Sequence, residues 1–550
     1  MTPRDLADDL LDAVLTASPL SASLLGLPGY DDRLDDLSAD AAVRAAERYD
    51  AIASAAAAMP VDGLGETDRQ TVEFVRHVAA TERDSARLGA IEWTVTDLWV
   101  APASALLEFL PRTPLDTPGR RAGHLARLAQ VPAYLSDAAS RHRDGVAAGR
   151  TPVERLVRAA IDHLGRVLDG DLAGLRVPSD DAGFVAERDT LVTDVVRPAL
   201  EAYRDSLVAD VLPSGRDDDH VGLTNLPGGE AIYATLVRQH TSTGLAPDEL
   251  HDMGLGLVEN LVKEYAEVGQ RVFATSDQAE IFSHLRDDDE LAFDSAEEML
   301  EAARTAIERA EGVAPRWFGT VPSQRCQVEA IPAAAAPGAP PAYYLPPAMD
   351  GSRPGTYFLN THEATQRRRH TAETVAFHEA VPGHHFQLTV AQEQDDLPVV
   401  RRVMIDTAFA EGWGLYCERL ADEMGLYSGD VARLGMLAAD SWRAARLVVD
   451  TGLHARGWLR QQAIDWMTEN TPLSRLEVAT EVDRYIAYPG QALSYMVGRH
   501  ELLRLRTTTS DRLGEAFDLK AFHDMLLATG GLPLTVLASA VDRWSPDRRA

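Results

Sequence analysis

The sequence predicts a mainly α, large multi-helix protein of two lobes with a small β element. Three observations point there: amphipathic 3.6-residue patterning over most of the 550 residues, one short stretch of alternating pattern, and a length beyond what one hydrophobic core usually serves. The expected division is a helical N-terminal lobe over residues 1–320 and a second lobe over 321–550 with the β element and more helices. Helical patterning on both sides of that boundary leaves open one integrated domain.

The elements follow in order. Leu6, Leu10, Val14 and Ala17 fall on one face of a first helix. Thr151-Pro152-Val153-Glu154 reads as a capping box with proline at the first helical position, opening a helix with the core stripe Leu156, Val157, Ala160, Ile161, Leu164 and Leu168. Loops rich in Pro, Gly and Asp, at 212–219 and 225–229, punctuate the helices. Residues 326–330 alternate apolar and polar, and an Ala/Pro-rich loop follows. Residues 342–345 and 356–360 then flank the turn-like Asp350-Gly351-Ser352-Arg353-Pro354-Gly355. Helical periodicity resumes after Thr371, a candidate N-cap.

Composition narrows the function classes. Apolar residues make up 45% and charged residues 25%, as in ordinary globular proteins. A formal net charge of −32 repels nucleic acid and anionic membrane, so neither is an expected partner. The one basic run, Arg367-Arg368-Arg369-His370, reads as a solvated flank, or else as a dock for a substrate carboxylate. Cys326 and Cys417 are too few for a disulfide framework and stand outside the motif described next. No basic-then-apolar leader and no run of about 18 apolar residues occurs, so the expected location is cytoplasmic.

The chemistry concentrates in His378-Glu379-Ala380-Val381-Pro382-Gly383-His384-His385. Catalytic zinc takes about three protein ligands and keeps one position open. Histidines four apart on a helix can share one ion, with the glutamate after the first acting as general base. Here the fourth position is Pro382. On an ideal helix His384 would point about 240° away from His378, while His385 would share its face but sit about 10 Å along. The helix must therefore deform, and Pro382 with Gly383 supplies the means for a bulge. A bulge that absorbs two residues favours His384 as the second ligand, with His385 the alternative. The pair His362-Glu363 lacks a second histidine and reads as loop. A third ligand is offered by Glu411, on a helix whose stripe of Phe409, Trp413, Leu415, Tyr416 and Leu420 is that of a buried element; Glu418 lies two turns further on the same face.

At these residues, and at Tyr488-Pro489-Gly490-Gln491-Ala492-Leu493-Ser494-Tyr495, the chain resembles the bacterial family of domain of unknown function 885, over almost its full length. More remotely it is similar to helical zinc peptidases of the thimet oligopeptidase, carboxypeptidase Taq and angiotensin-converting enzyme type (gluzincins), whose His-Glu-x-Gly-His is followed by a ligand glutamate on the next helix. Dipeptidyl peptidase III offers a precedent for a lengthened motif. That resemblance implies zinc held by His378, His384 and Glu411, with Glu418 behind them and Glu379 as base. It also implies a substrate-pairing strand at 356–360, and a tyrosine or histidine near the scissile carbonyl, for which Tyr495, His454 and Tyr488 are candidates in that order. The expectation is a zinc-dependent hydrolase that cleaves peptide or small amide substrates. The alternatives are a non-catalytic zinc-binding scaffold, against which the retention of Glu379 speaks, and an amide hydrolase acting on a non-peptide metabolite.

Overall fold

The computed structural model describes residues 1–333, 336 and 340–545, so part of the Ala/Pro-rich loop lies outside the described residues. The protein is mainly α, with one three-stranded sheet. No helix among the described residues is long and apolar enough to cross a membrane. Helix α1 (Pro3–Ala17) buries Leu6 and Leu10, whereas Val14 is half-buried and Ala17, the last residue, is exposed. Helix α2 (Glu66–Leu88) lies against it, with Phe74 and Val75 buried.

The stripe read from Leu156 to Leu168 is buried in α3 (Glu154–Asp169), with Ile161 packed half-buried beside it. Its start differs from the expected capping box. Val153 is the N-cap and no side chain caps the helix. The Glu154 amide donates instead to the Arg216 carbonyl at 2.7 Å, and the Arg216 amide to the Pro152 carbonyl at 2.9 Å. A neighbouring backbone segment thus satisfies the donor that a threonine hydroxyl was expected to satisfy.

One apolar cluster runs from Leu6 through Phe74, Tyr233 of α4 (Gly229–Thr241), Phe377 and Trp413 to Val541, drawing side chains from both sides of residue 320. A second is built wholly within residues 20–212, around Leu128, Leu164 and Leu200.

In the sheet, β1 (Gln327–Ala330) runs parallel and β2 (Ala342–Leu345) antiparallel to β3 (Thr356–Leu359), which lies between them. The expectation that residues 356–360 offer an edge to an extended substrate is therefore corrected. A central strand has spent its ladder groups on two neighbours, and the outer strands are β1 and β2. The basic run is corrected as well. The Phe293 amide donates to the Arg367 carbonyl at 3.1 Å, Arg368 Nε to the Arg286 carbonyl at 2.9 Å, and Arg369 pairs with Glu298 at 2.7 Å, while His370 is buried. Arg286 lies in the last turn of its helix, where carbonyls lack intrahelical donors, so the run ties elements together instead of standing in solvent.

Candidate metal centre

Helix α5 (Ala372–Glu379) carries His378 and Glu379 in its last turn, and α6 (His384–Gln392) begins at His384. Thr371 is the N-cap residue of α5, but its hydroxyl donates to the Arg368 carbonyl and caps nothing. The expected single bulged helix is corrected to two helices joined by Ala380–Gly383, because Pro382 and Gly383 end the first one. The Val381–Pro382 peptide is cis. A Cβ on Gly383 would sit 1.8 Å from the His378 carbonyl oxygen, so only glycine lets the chain fold back over the end of α5. Two donors from α7 (Thr407–Glu423) hold that turn: Trp413 Nε1 reaches the Pro382 carbonyl at 2.9 Å, and Cys417 Sγ reaches it at 3.3 Å. The stripe of α7, from Phe409 to Leu420, is buried, which fixes the direction in which Glu411 projects.

The break brings His384, and not His385, beside His378. His378 Nε2 and His384 Nε2 each lie 3.4 Å from Glu411 Oε2, and the two rings meet nearly perpendicular with centroids 4.6 Å apart. One ligand atom from each of His378, His384 and Glu411 falls within 4.8 Å of the others. A separation of 3.4 Å is long for a charge-assisted hydrogen bond, normally about 2.7–2.9 Å. It matches the roughly 3.3 Å edge of a tetrahedron whose corners lie about 2.0–2.1 Å from a zinc ion.

Charge points the same way. Glu418 is fully buried, and its Oε1 accepts from His378 Nδ1 at 2.8 Å. That bond turns the Nε2 lone pair toward the Glu411 carboxylate, an arrangement that needs a shared cation, either protons or a metal. Burial pushes His378 down, yet its bonds to Glu411 and Glu418 lift it to about 9. Burial raises Glu411, but His378 and His384 hold it well below the usual carboxylate range. Two imidazole nitrogens and one carboxylate oxygen are a donor set that fits zinc and leaves a coordination position open.

Glu379 is half-buried beside the trio, and its charge adds to the burial that pushes the Tyr357 hydroxyl up. His385 faces away: Nδ1 lies 2.9 Å from the Tyr344 hydroxyl on β2, and Nε2 lies 2.9 Å from the Gln324 carbonyl. The Tyr495 ring, on α8 (Ser494–Leu513), lies nearly parallel to that of His378 with centroids 6.4 Å apart.

His454 is not brought there. Its Nδ1 accepts from the Leu223 amide at 3.2 Å, its Nε2 donates to the Tyr485 carbonyl at 3.0 Å, and burial drives it down to about 3. It is a neutral histidine holding backbone segments together. Tyr488 packs against Trp99 and His240 with centroids 5.6 and 5.0 Å away, whereas the rings against His378 among the described residues are those of His384 and Tyr495.

Sequence reasoning missed Gly414, Arg443 and Arg446. A Cβ on Gly414 would meet His378 Cε1 at 2.5 Å, so this glycine makes room for the imidazole. Arg446 lies 4.4 Å and Arg443 6.0 Å from the Tyr495 ring, both from the helix Asp430–Ala455. Their signal was present: two arginines three apart among the apolar residues of one long helix require a reason.

Fold and site together define a mainly helical protein with a two-histidine, one-glutamate candidate metal centre assembled from three helices. The chain belongs to the bacterial family of unknown function DUF885, which it matches over residues 19–541. Among solved structures it is similar to a "putative lipoprotein" from Colwellia psychrerythraea, at 27% identity and a TM-score of 0.90 over 99% of both chains. It is also similar to a "putative lipoprotein of unknown function" from Shewanella oneidensis, at 19% identity and a TM-score of 0.77 over 98% of this chain and 99% of that one, a likeness of fold alone. No curated protein matches the chain.

Proposed function

We propose that this protein is a zinc-dependent hydrolase that cleaves amide bonds, and peptide bonds in the first instance. The observation that carries the reading is the convergence of His378, His384 and Glu411 beside a carboxylate, Glu379, that is not part of the trio. A zinc ion there would supply Lewis acidity, lowering the pKa of water and polarising the substrate carbonyl. Glu379 takes the proton from the attacking water and passes it to the leaving amine. Glu418 orients His378, as carboxylates commonly do for ligand histidines. Tyr495, steadied by the arginine beside its ring, is the candidate donor to the developing oxyanion. A non-catalytic scaffold has no use for a base next to an open ligand position, which is why the enzyme reading is preferred.

Location enters as part of the proposal. The expected location is the cytoplasm, whereas the similar protein from Colwellia psychrerythraea bears a lipoprotein description; fractionation of the native host decides between soluble and membrane-tethered protein. The functional test is Glu379→Gln assayed on a mixed peptide library. The variant keeps its zinc and turns over at least about 10²-fold more slowly than wild type. Equal rates would remove Glu379 from the chemistry, and zinc-loaded wild type that cleaves neither peptides nor simple amides would return the protein to the scaffold reading.

A further inference from the structure

A cavity of about 170 Å³ lies between α2, α4 and the start of α7, and its polar lining includes His77, Thr81, Glu82, Gln239, His240 and Asp406. Thr407 stands one turn before Glu411 on α7, about 6 Å along the axis, so the cavity opens on the face of that helix from which Glu411 projects. Glu82 forms no hydrogen bond or ion pair with any described residue. Gln239 Oε1 is buried without a partner, as is Nε2 of His240, a residue only 4% exposed. No lysine or arginine lines the space. Burial pushes both carboxyls up, Asp406 to about 7, which is the response of acids that lack a countercharge. Leaving Gln239 Oε1 and His240 Nε2 buried and unpaired is unfavourable, and a cation rich in N–H donors beside Glu82 removes the penalty.

We propose that this cavity is a subsite for a protonated amine of the substrate, with Glu82 as the charged partner and Gln239 and His240 as further acceptors. The inference rests on the amide-hydrolase reading and narrows it to substrates with a cationic group beside the scissile bond. That group is either a free α-amino terminus or a basic side chain. Asp406 also caps α7 through the Phe409 amide at 3.0 Å, so Glu82 is the residue to vary.

The test has a binding arm and a turnover arm. In the first, n-butylammonium is titrated into the full chain by calorimetry, with n-butanol as the neutral control. Wild type binds the ammonium and not the alcohol, and Glu82→Gln weakens binding by roughly tenfold or more. Gln239→Met, which removes an acceptor at similar size, weakens it too and carries the test should the first variant not fold. In the second arm, peptides with free or acetylated N-termini, and with lysine or norleucine near the cleavage point, distinguish the two sources of the amine. Glu82→Gln raises KM for the charged member of the sensitive pair and leaves kcat nearly unchanged. Ammonium binding equal in wild type and both variants, or cleavage indifferent to substrate charge, overturns the subsite. Ammonium binding that depends on Glu82, without any amide cleavage, keeps the subsite and sinks the hydrolase reading.

Discussion

Gly414→Ala is the sharpest single perturbation of the site. The added Cβ would meet His378 Cε1 at 2.5 Å and both ring nitrogens at 2.8 Å, while carbon atoms in contact normally stand about 3.5–4.0 Å apart. The imidazole must therefore retreat by roughly an ångström. It cannot do so and keep its 2.8 Å bond to Glu418 and its 3.4 Å approach to Glu411. Stability alone is a poor reporter, because alanine in a helix interior gains about 1 kcal/mol over glycine while overpacking costs about 1–3 kcal/mol. These partly cancel. Metal affinity has no such offset, and disturbing the support of a ligand histidine typically costs about 10–100-fold. Competition titration of zinc against a chelator reads that loss directly, with Gly256→Ala as control, since a Cβ there meets nothing within 4 Å. Zinc affinity in Gly414→Ala equal to that of wild type would refute the placement of the ion at His378.

The remaining predictions separate ligands from neighbours and address pH. His384→Ala loses zinc, whereas His385→Ala keeps it and loses stability by about 1–3 kcal/mol, because the Tyr344 hydroxyl and Gln324 carbonyl forfeit a partner; metal analysis and denaturant melts decide. Six histidines, His124, His142, His240, His370, His454 and His523, are pushed by burial to about 4, or about 3 for His454, so the unfolded chain binds protons that the native state refuses below pH 6.5. Asp406 and Asp450, raised by burial to about 7, and Asp35, raised to about 6, act in the opposite sense over the same range. The histidines outnumber them, so stability falls as pH drops from about 6.5 to about 4. Chemical denaturation across that window should show net proton uptake on unfolding, and a flat or inverted profile would contradict these burial effects.

Much of the fold was legible because apolar spacing reports burial directly: the stripes from Leu156 to Leu168 and from Phe409 to Leu420 lie inside as read. The strands were legible from alternation at 326–330 and from the turn between 342–345 and 356–360, but which of them is central depends on pairing between distant segments, which neither signal encodes; hence the misplaced edge at 356–360. In the metal segment the residue types named the chemistry, while the path between His378 and His384 depended on a turn held by Trp413 and Cys417 from another helix. His454 looked available because its Leu223 and Tyr485 backbone partners are far away in sequence. The cavity at Glu82 was invisible for the same reason, since its wall draws on residues from 74 to 533.

The central claim is that His378, His384 and Glu411 hold one catalytic ion, and metal content by mass spectrometry on protein purified without added metal tests it most directly. Wild type should carry about one zinc per chain, Glu379→Gln a full complement, and His378→Ala almost none, with all three proteins folded by circular dichroism. Zinc-free wild type, or zinc undiminished in folded His378→Ala, would contradict it.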